Sequence, residues 1–109
     1  MIEGHKIAKR VKVEEFLEIM GQFKEDQIKT TDHTFFRLSQ KQRKVFKDTV
    51  LKEYLLNEIP LLVGIQHNNA YAVFYKYQKN VLRITLEIQP TQINAITFYI
   101  IDKNQLPRI

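Results

Sequence analysis

Beyond Pro60 the apolar period of the chain changes from about 3.6 residues to about 2, the period of strands, and it stays there almost to the end. The runs are LLVGIQ (61 to 66), AYAVFYKY (70 to 77), VLRITLEI (81 to 88) and INAITFYII (93 to 101), separated by HNN, QKN and QPTQ. Short Asn-containing gaps favour hairpins, and Pro90 falls where a ladder must stop, so the four runs predict an antiparallel meander. In the third run Leu82, Ile84, Leu86 and Ile88 alternate with Arg83, Thr85, Glu87 and Gln89, which predicts one buried face and one wet face. On the last strand Ala95, Thr97 and Tyr99 share a side. Tyr71, Val73, Tyr75 and Tyr77 share a side of the second, as an aromatic edge of the core or as a platform on which bases could stack.

Upstream of Pro60 the pattern is helical. Val13, Phe16, Leu17 and Met20 recur at helix spacing, and Gly21 supplies a stop. GQFKEDQIKTTD (21 to 32) reads as a connector. Asp32 can cap a short helix over 33 to 38, and Ser39 with Gln42 forms a capping-box pattern for a longer helix from about 40 to 57. Val45, Phe46, Thr49, Val50, Glu53 and Tyr54 fall near one stripe of that longer helix, with its lysines mainly opposite. Lysines near its start would oppose the helix macrodipole, and a negatively charged partner would offset this. The expected fold is α+β, with N-terminal helices covering the apolar face of a four-stranded antiparallel meander. One domain of 109 residues is expected, with a helix and connector over 1–27, a core over 28–101 and a tail over 102–109.

A hydrophobic content of 44% supports a packed core, and the chain contains no cysteine, so that core must hold the fold without disulfides or thiolate metal sites. No long apolar segment suggests a signal peptide or a membrane span, and a cytoplasmic location is the expectation. The net charge of +5 is unevenly placed: Arg37, Lys41, Arg43, Lys44, Lys47 and Lys52 face a single anion, Asp48, over that stretch. Such a concentration attracts polyanions, although a solvated helix face would look the same.

Within HTFFR, His33 and Arg37 are four residues apart, so on an α-helix a titratable imidazole and a permanent cation would share a face. That pair can move protons and grip phosphate. His5 and His67 belong to no metal-ligand spacing, and with only Gly4, Gly21 and Gly64 in the chain there is no glycine-rich phosphate loop. Plainer roles stand beside these. His33 can be a surface residue, Arg37 can pair with Asp32, Glu25 or Asp26, and Thr97 is an ordinary strand former.

The order of elements, the His-x-x-x-Arg sequence at 33 to 37 and the ITFY strand at 96 to 99 resemble the RelE and BrnT type of small toxins, closest to a branch of uncharacterised domains. The likeness runs from about Ile28 to Ile101. Arg43 resembles that branch's second arginine, while QKQRKVF lacks the glycine that commonly follows it. The resemblance implies a metal-independent endoribonuclease, the toxin half of a toxin–antitoxin pair, needing no cofactor. His33, Arg37, Thr97 and Tyr99 would be its catalytic set and Lys41, Arg43, Lys44, Lys47 and Arg83 its RNA-binding residues. RNA, including ribosome-bound mRNA, and an antitoxin would be its partners, with self-association open. The alternative on the same scaffold is a noncatalytic module that binds nucleic acid or protein through the basic helix.

Overall fold

The computed structural model describes residues 7–107. Its elements are β1 (Ile7–Val11), α1 (Val13–Met20), β2 (Ile28–Lys29), α2 (Gln40–Val45), α3 (Asp48–Asn57), β3 (Leu62–Gln66), β4 (Tyr71–Tyr77), β5 (Asn80–Ile88) and β6 (Ile93–Ile101), with 3₁₀ turns at Glu25–Gln27, Asp32–Phe35 and Lys103–Gln105. The four alternating runs become β3 to β6, joined as neighbouring antiparallel strands. The sheet is nevertheless not a four-stranded meander. It has six strands in the order β1-β3-β4-β5-β6-β2, with β2 parallel to β6, so the expected architecture is corrected to a mixed six-stranded sheet within the α+β class. Both added strands lie at edges. IAKRV leaves Ala8, Lys9 and Arg10 exposed and IK is only two residues long, so neither carries the alternation that burial imposes on inner strands.

One face of the sheet carries the helices. Phe16 and Met20 of α1, Leu51 and Leu55 of α3, and Phe46 pack with Val63, Val73, Tyr75, Leu82, Ile84 and Phe98. Tyr71 and Tyr77 also join this core, so the aromatic stripe of β4 packs against helices instead of offering a platform for bases. The other face is not uniformly wet. Leu62, Ala72, Phe74 and Val81 make a second apolar cluster, covered at one end by Ile7, Ile101 and Leu106. β4 is thereby buried on both sides over 72 to 75.

The expected long helix is broken between α2 and α3, where Phe46 takes non-helical angles (φ −89°, ψ 92°) and its ring drops between Tyr77 and Phe98, at centroid distances of 5.1 and 5.4 Å. Burying a phenylalanine contributes about 2 kcal/mol, against about 1 kcal/mol for each helical hydrogen bond given up, so packing wins. The break also resets the helix phase. Leu51 and Leu55 face the core while Val45, Thr49 and Glu53 are exposed, and Arg43 and Lys44 fall in the last turn of α2, where the dipole favours cations. The penalty expected from lysines at the start of one long helix is reduced to Lys41 in the first turn of α2 and Lys47 at the N-cap of α3. The Ser39/Gln42 capping box forms as read, with Gln42 N donating to Ser39 Oγ at 3.2 Å and Ser39 N to Gln42 Oε1 at 2.9 Å.

The Tyr75 hydroxyl is buried without a hydrogen-bond partner among the described residues. Burial, with a smaller contribution from the negative charge of Glu58, pushes its pKa far above the ordinary value of 10. The folded chain therefore keeps this proton where the unfolded chain begins to lose it, so stability falls as pH rises above about 10. Tyr75→Phe removes both the orphaned hydroxyl and its titration. The variant should gain about 1 kcal/mol at neutral pH and a larger advantage at pH 11, read from urea midpoints. A clear loss at neutral pH would mean that the hydroxyl has a partner after all.

Candidate functional site

The HTFFR segment folds as a 3₁₀ turn over Asp32–Phe35, not as the short α-helix expected over 33 to 38. Its cap is Thr31 instead of Asp32. His33 N donates to Thr31 Oγ1 at 3.2 Å, and Thr31 N donates to Thr34 Oγ1 at 2.9 Å. Buried Thr34 then donates to the carbonyl of Ala95 at 2.8 Å, fixing the turn against the edge of β6 beyond the point where β2 pairs.

At three residues per turn, positions i and i+3 eclipse, whereas i and i+4 stand roughly 120° apart. The exposed His33 ring accordingly meets Phe36 edge-on at 6.2 Å. Arg37 turns elsewhere, with its guanidinium carbon 3.8 Å above the ring of Tyr99. The shared helix face expected for His33 and Arg37 is thus replaced by two adjacent pairs, His33 with Phe36 and Arg37 with Tyr99.

Tyr99 belongs to the sheet face opposite the helices, and the strand register explains why. Across β3 to β6 one row reads Leu62, Phe74, Arg83, Tyr99, and the next reads Gly64, Ala72, Thr85, Thr97. Arg83 lies beside Tyr99, its guanidinium 5.2 Å from the Phe74 ring centre, and Nη2 donates to the buried Gln66 Oε1 at 2.6 Å. Gly64 and Ala72, the small members of the intervening row, leave the space over which this arm extends. Burial lowers the Arg83 pKa; the Tyr99 hydroxyl partly offsets this, and the positive charge of Arg37 lowers it further. Two guanidinium groups and a phenol therefore share one patch, with half-buried Thr97 in the neighbouring row. Arg37 has no ion-pair partner among the described residues, and the pairings considered with Asp32, Glu25 and Asp26 do not form.

A bulge corrects one further placement. Thr97 pairs with Thr85 but Ala95 pairs with Leu86, which leaves Ile96 as the extra residue on β6. Ala95 consequently faces the helices, and only Thr97 and Tyr99 of the expected trio face the open side.

The other expected RNA-binding residues are divided by the sheet. Lys41, Lys44 and Lys47 are exposed on or beside α2, which packs on the helical face through Phe46, so α2 and the polar sheet face do not form the walls of one groove. A hollow of about 530 Å³ on that helical side is bordered by Arg43 and Lys47, but also by Asp32 and Asp48, whose charges balance them. His67 lies exposed in the β3–β4 turn, and His5 lies outside the described residues.

Arg43 has a different task. Its Nε donates to the carbonyl of Phe35 at 3.2 Å and its Nη2 to that of Phe36 at 2.6 Å, so it ties α2 to the turn that carries His33, Phe36 and Arg37. It is a positioning residue. Arg43→Ala should loosen this turn, read as faster hydrogen exchange at the amides of residues 33 to 38. Unchanged exchange there would mean that the turn holds without Arg43.

Sequence reasoning missed Gln66, which is buried where it accepts from Arg83, and Phe36, while Thr85, expected on the wet side, is buried. The available signal for Phe36 was the doublet Phe35–Phe36, because neighbouring aromatics on a tight turn cannot both point into the core. Phe35 does so, 5.5 Å from Phe98, and Phe36 does not. Among the described residues no three His, Asp or Glu side chains gather as a metal-binding group, and no helix is long and apolar enough to cross a membrane. Comparison with family models, curated proteins and solved structures returned no match, so the likeness to RelE and BrnT toxins rests on the residues already named.

Proposed function

We propose that the chain is a metal-independent endoribonuclease of the toxin type, which grips the RNA backbone on the open face of the sheet between Arg37, Arg83, Thr97 and Tyr99. The observation that carries this reading is the placing of two guanidinium groups around Tyr99, near enough that one cation depresses the pKa of the other. Like charges gathered in this way are relieved by an anion, and a guanidinium matches the paired oxygens of a phosphate. The hydroxyls of Thr97 and Tyr99 add donors for the charge that builds on phosphorus.

In the proposed reaction the 2'-oxygen attacks the adjacent phosphorus and the bond from phosphorus to the 5'-oxygen breaks, leaving a 2',3'-cyclic phosphate and a 5'-hydroxyl. The 2'-hydroxyl gives up its proton as it attacks and the departing 5'-oxygen takes one up, and His33 is the side chain assigned to this proton transfer. No cofactor enters this scheme. The partners that go with it are RNA, ribosome-bound mRNA among it, and an antitoxin chain, with a cytoplasmic site of action.

The test is incubation of the purified chain with end-labelled single-stranded RNA in the presence of a chelator. Cleavage to cyclic-phosphate ends is expected, and intact RNA beside demonstrably folded protein would reject the proposal. A second reading draws on the 3₁₀ geometry itself. Because His33 and Arg37 do not share a face, the patch can serve a noncatalytic module that only binds. In that case binding would be salt-sensitive and would survive His33→Ala without any cleavage.

A further inference from the structure

Phe36 is 58% exposed, whereas every other phenylalanine and tyrosine of the chain is buried or half-buried. Its backbone is nonetheless held firmly. Its N–H donates to the carbonyl of His33 at 3.3 Å, and its own carbonyl accepts from Arg43 Nη2 at 2.6 Å. The His33 ring meets it at an interplanar angle of 79° and so rims the phenyl group. The next residue in sequence is Arg37, whose guanidinium lies over Tyr99. A fixed, solvent-facing aromatic ring therefore stands one residue away from a cation directed at the sheet face, in a stretch where cations outnumber anions.

We propose that Phe36 is a stacking platform for an unpaired nucleobase, so that the chain selects single-stranded over double-stranded RNA. The inference rests on the reading of the open face as an RNA-backbone site, and it adds which part of the RNA is recognised beside that site. The charge pattern favours a polyanion, and the phenyl ring suits the one apolar surface that a polyanion of this kind offers, the flat face of a base. In a duplex those faces are stacked on one another and cannot reach the ring. A base on Phe36 would leave its neighbouring phosphate toward Arg37, and would bring its ribose to the side rimmed by His33. Stacking is tolerant of base identity, so the platform contributes strand selectivity without a strict sequence requirement.

The experiment measures binding of a short RNA that carries 2-aminopurine at one position and 2'-O-methyl groups throughout, so that it cannot be cut. The wild-type chain should bind it and quench the fluorophore, and should bind the matching duplex at least tenfold more weakly. Phe36→Ala should weaken single-strand binding by about tenfold and abolish the quenching. Phe36→Trp should stay within about twofold of wild type. Against an RNA lacking the base at the labelled position, wild type and Phe36→Ala should bind alike. If Phe36→Ala does not fold, Phe36→Leu and the abasic comparison on the wild type serve in its place. Wild-type binding that Arg37→Ala weakens but Phe36→Ala leaves unchanged would overturn the platform alone. Failure of the wild type to bind any of these RNAs would overturn the RNA reading and the platform together.

Discussion

In the proposed cleavage reaction, Arg37→Ala should reduce the rate by about 10²- to 10³-fold, the loss that follows removal of one aligned donor from a developing anion. Among the described residues the guanidinium meets the ring of Tyr99 at 3.8 Å, a contact worth about 1 kcal/mol at a surface site, so the fold should survive its loss. Binding should weaken too, and the slope of log affinity against log salt should fall by about 0.7, one phosphate contact on a single strand. Arg37→Lys should recover part of the affinity but little of the rate, because an ammonium carries the charge without the paired donors. His33→Ala makes the necessary contrast. Loss of proton transfer should lower the rate by a comparable factor, about 10²- to 10⁴-fold, with the salt slope unchanged. Single-turnover rates and binding isotherms on the three variants separate the roles. Equal rates in Arg37→Ala and wild type would remove the phosphate grip from the mechanism, and a His33→Ala enzyme of full activity would remove the imidazole.

The largest effect on stability is expected from Phe98→Ala. Phe98 is fully buried on β6, and its ring touches Phe35 of the 3₁₀ turn at 5.5 Å and Phe46 of the helix break at 5.4 Å. Truncation loses the transfer free energy of the ring and leaves a cavity that three segments cannot all close, for a cost of about 3–5 kcal/mol. Domains of this size are stable by about 5–15 kcal/mol, so the variant should be near the edge of folding. Its consequences should also be uneven. Phe35 and Phe46 lose their common support, so the turn that carries His33, Phe36 and Arg37 should loosen before the β3–β4–β5 ladder does. Hydrogen exchange should show the amides of residues 33 to 38 losing protection ahead of those in β4. Uniform loss of protection would mean that the turn is not held through Phe98.

How far each element could be read depended on whether its determinants are local. The inner strands were legible because burial writes an alternating pattern into a strand, and the short Asn-bearing gaps allow little but hairpins: Asn69 takes the positive φ of 70° that such a turn demands. The first helix and the Ser39 cap were legible for the same reason, since a few adjacent residues decide them. The edge strands β1 and β2 were not. A strand with one neighbour and an exposed face needs no particular pattern, and only the unpaired backbone of β3 and β6 determines that it forms.

The candidate site shows the same division more sharply. The residue types for gripping phosphate are visible in the chain: His33, Arg37, Arg83, Thr97 and Tyr99 can be named without coordinates. Their mutual placement could not be derived, because it turns on small changes of phase. A 3₁₀ turn in place of an α-helix moves Arg37 away from His33, one bulge at Ile96 puts Ala95 and Thr97 on opposite faces, and one break at Phe46 separates the lysines of α2 from the sheet's open side. Sequence alone determined the strand period, the hairpins and the chemical inventory, since these follow from neighbours along the chain. Only the tertiary structure decided which of those groups meet, because Thr34 on the edge of β6 and the ring of Phe46 in the core settle the phase of each segment through contacts far apart in sequence.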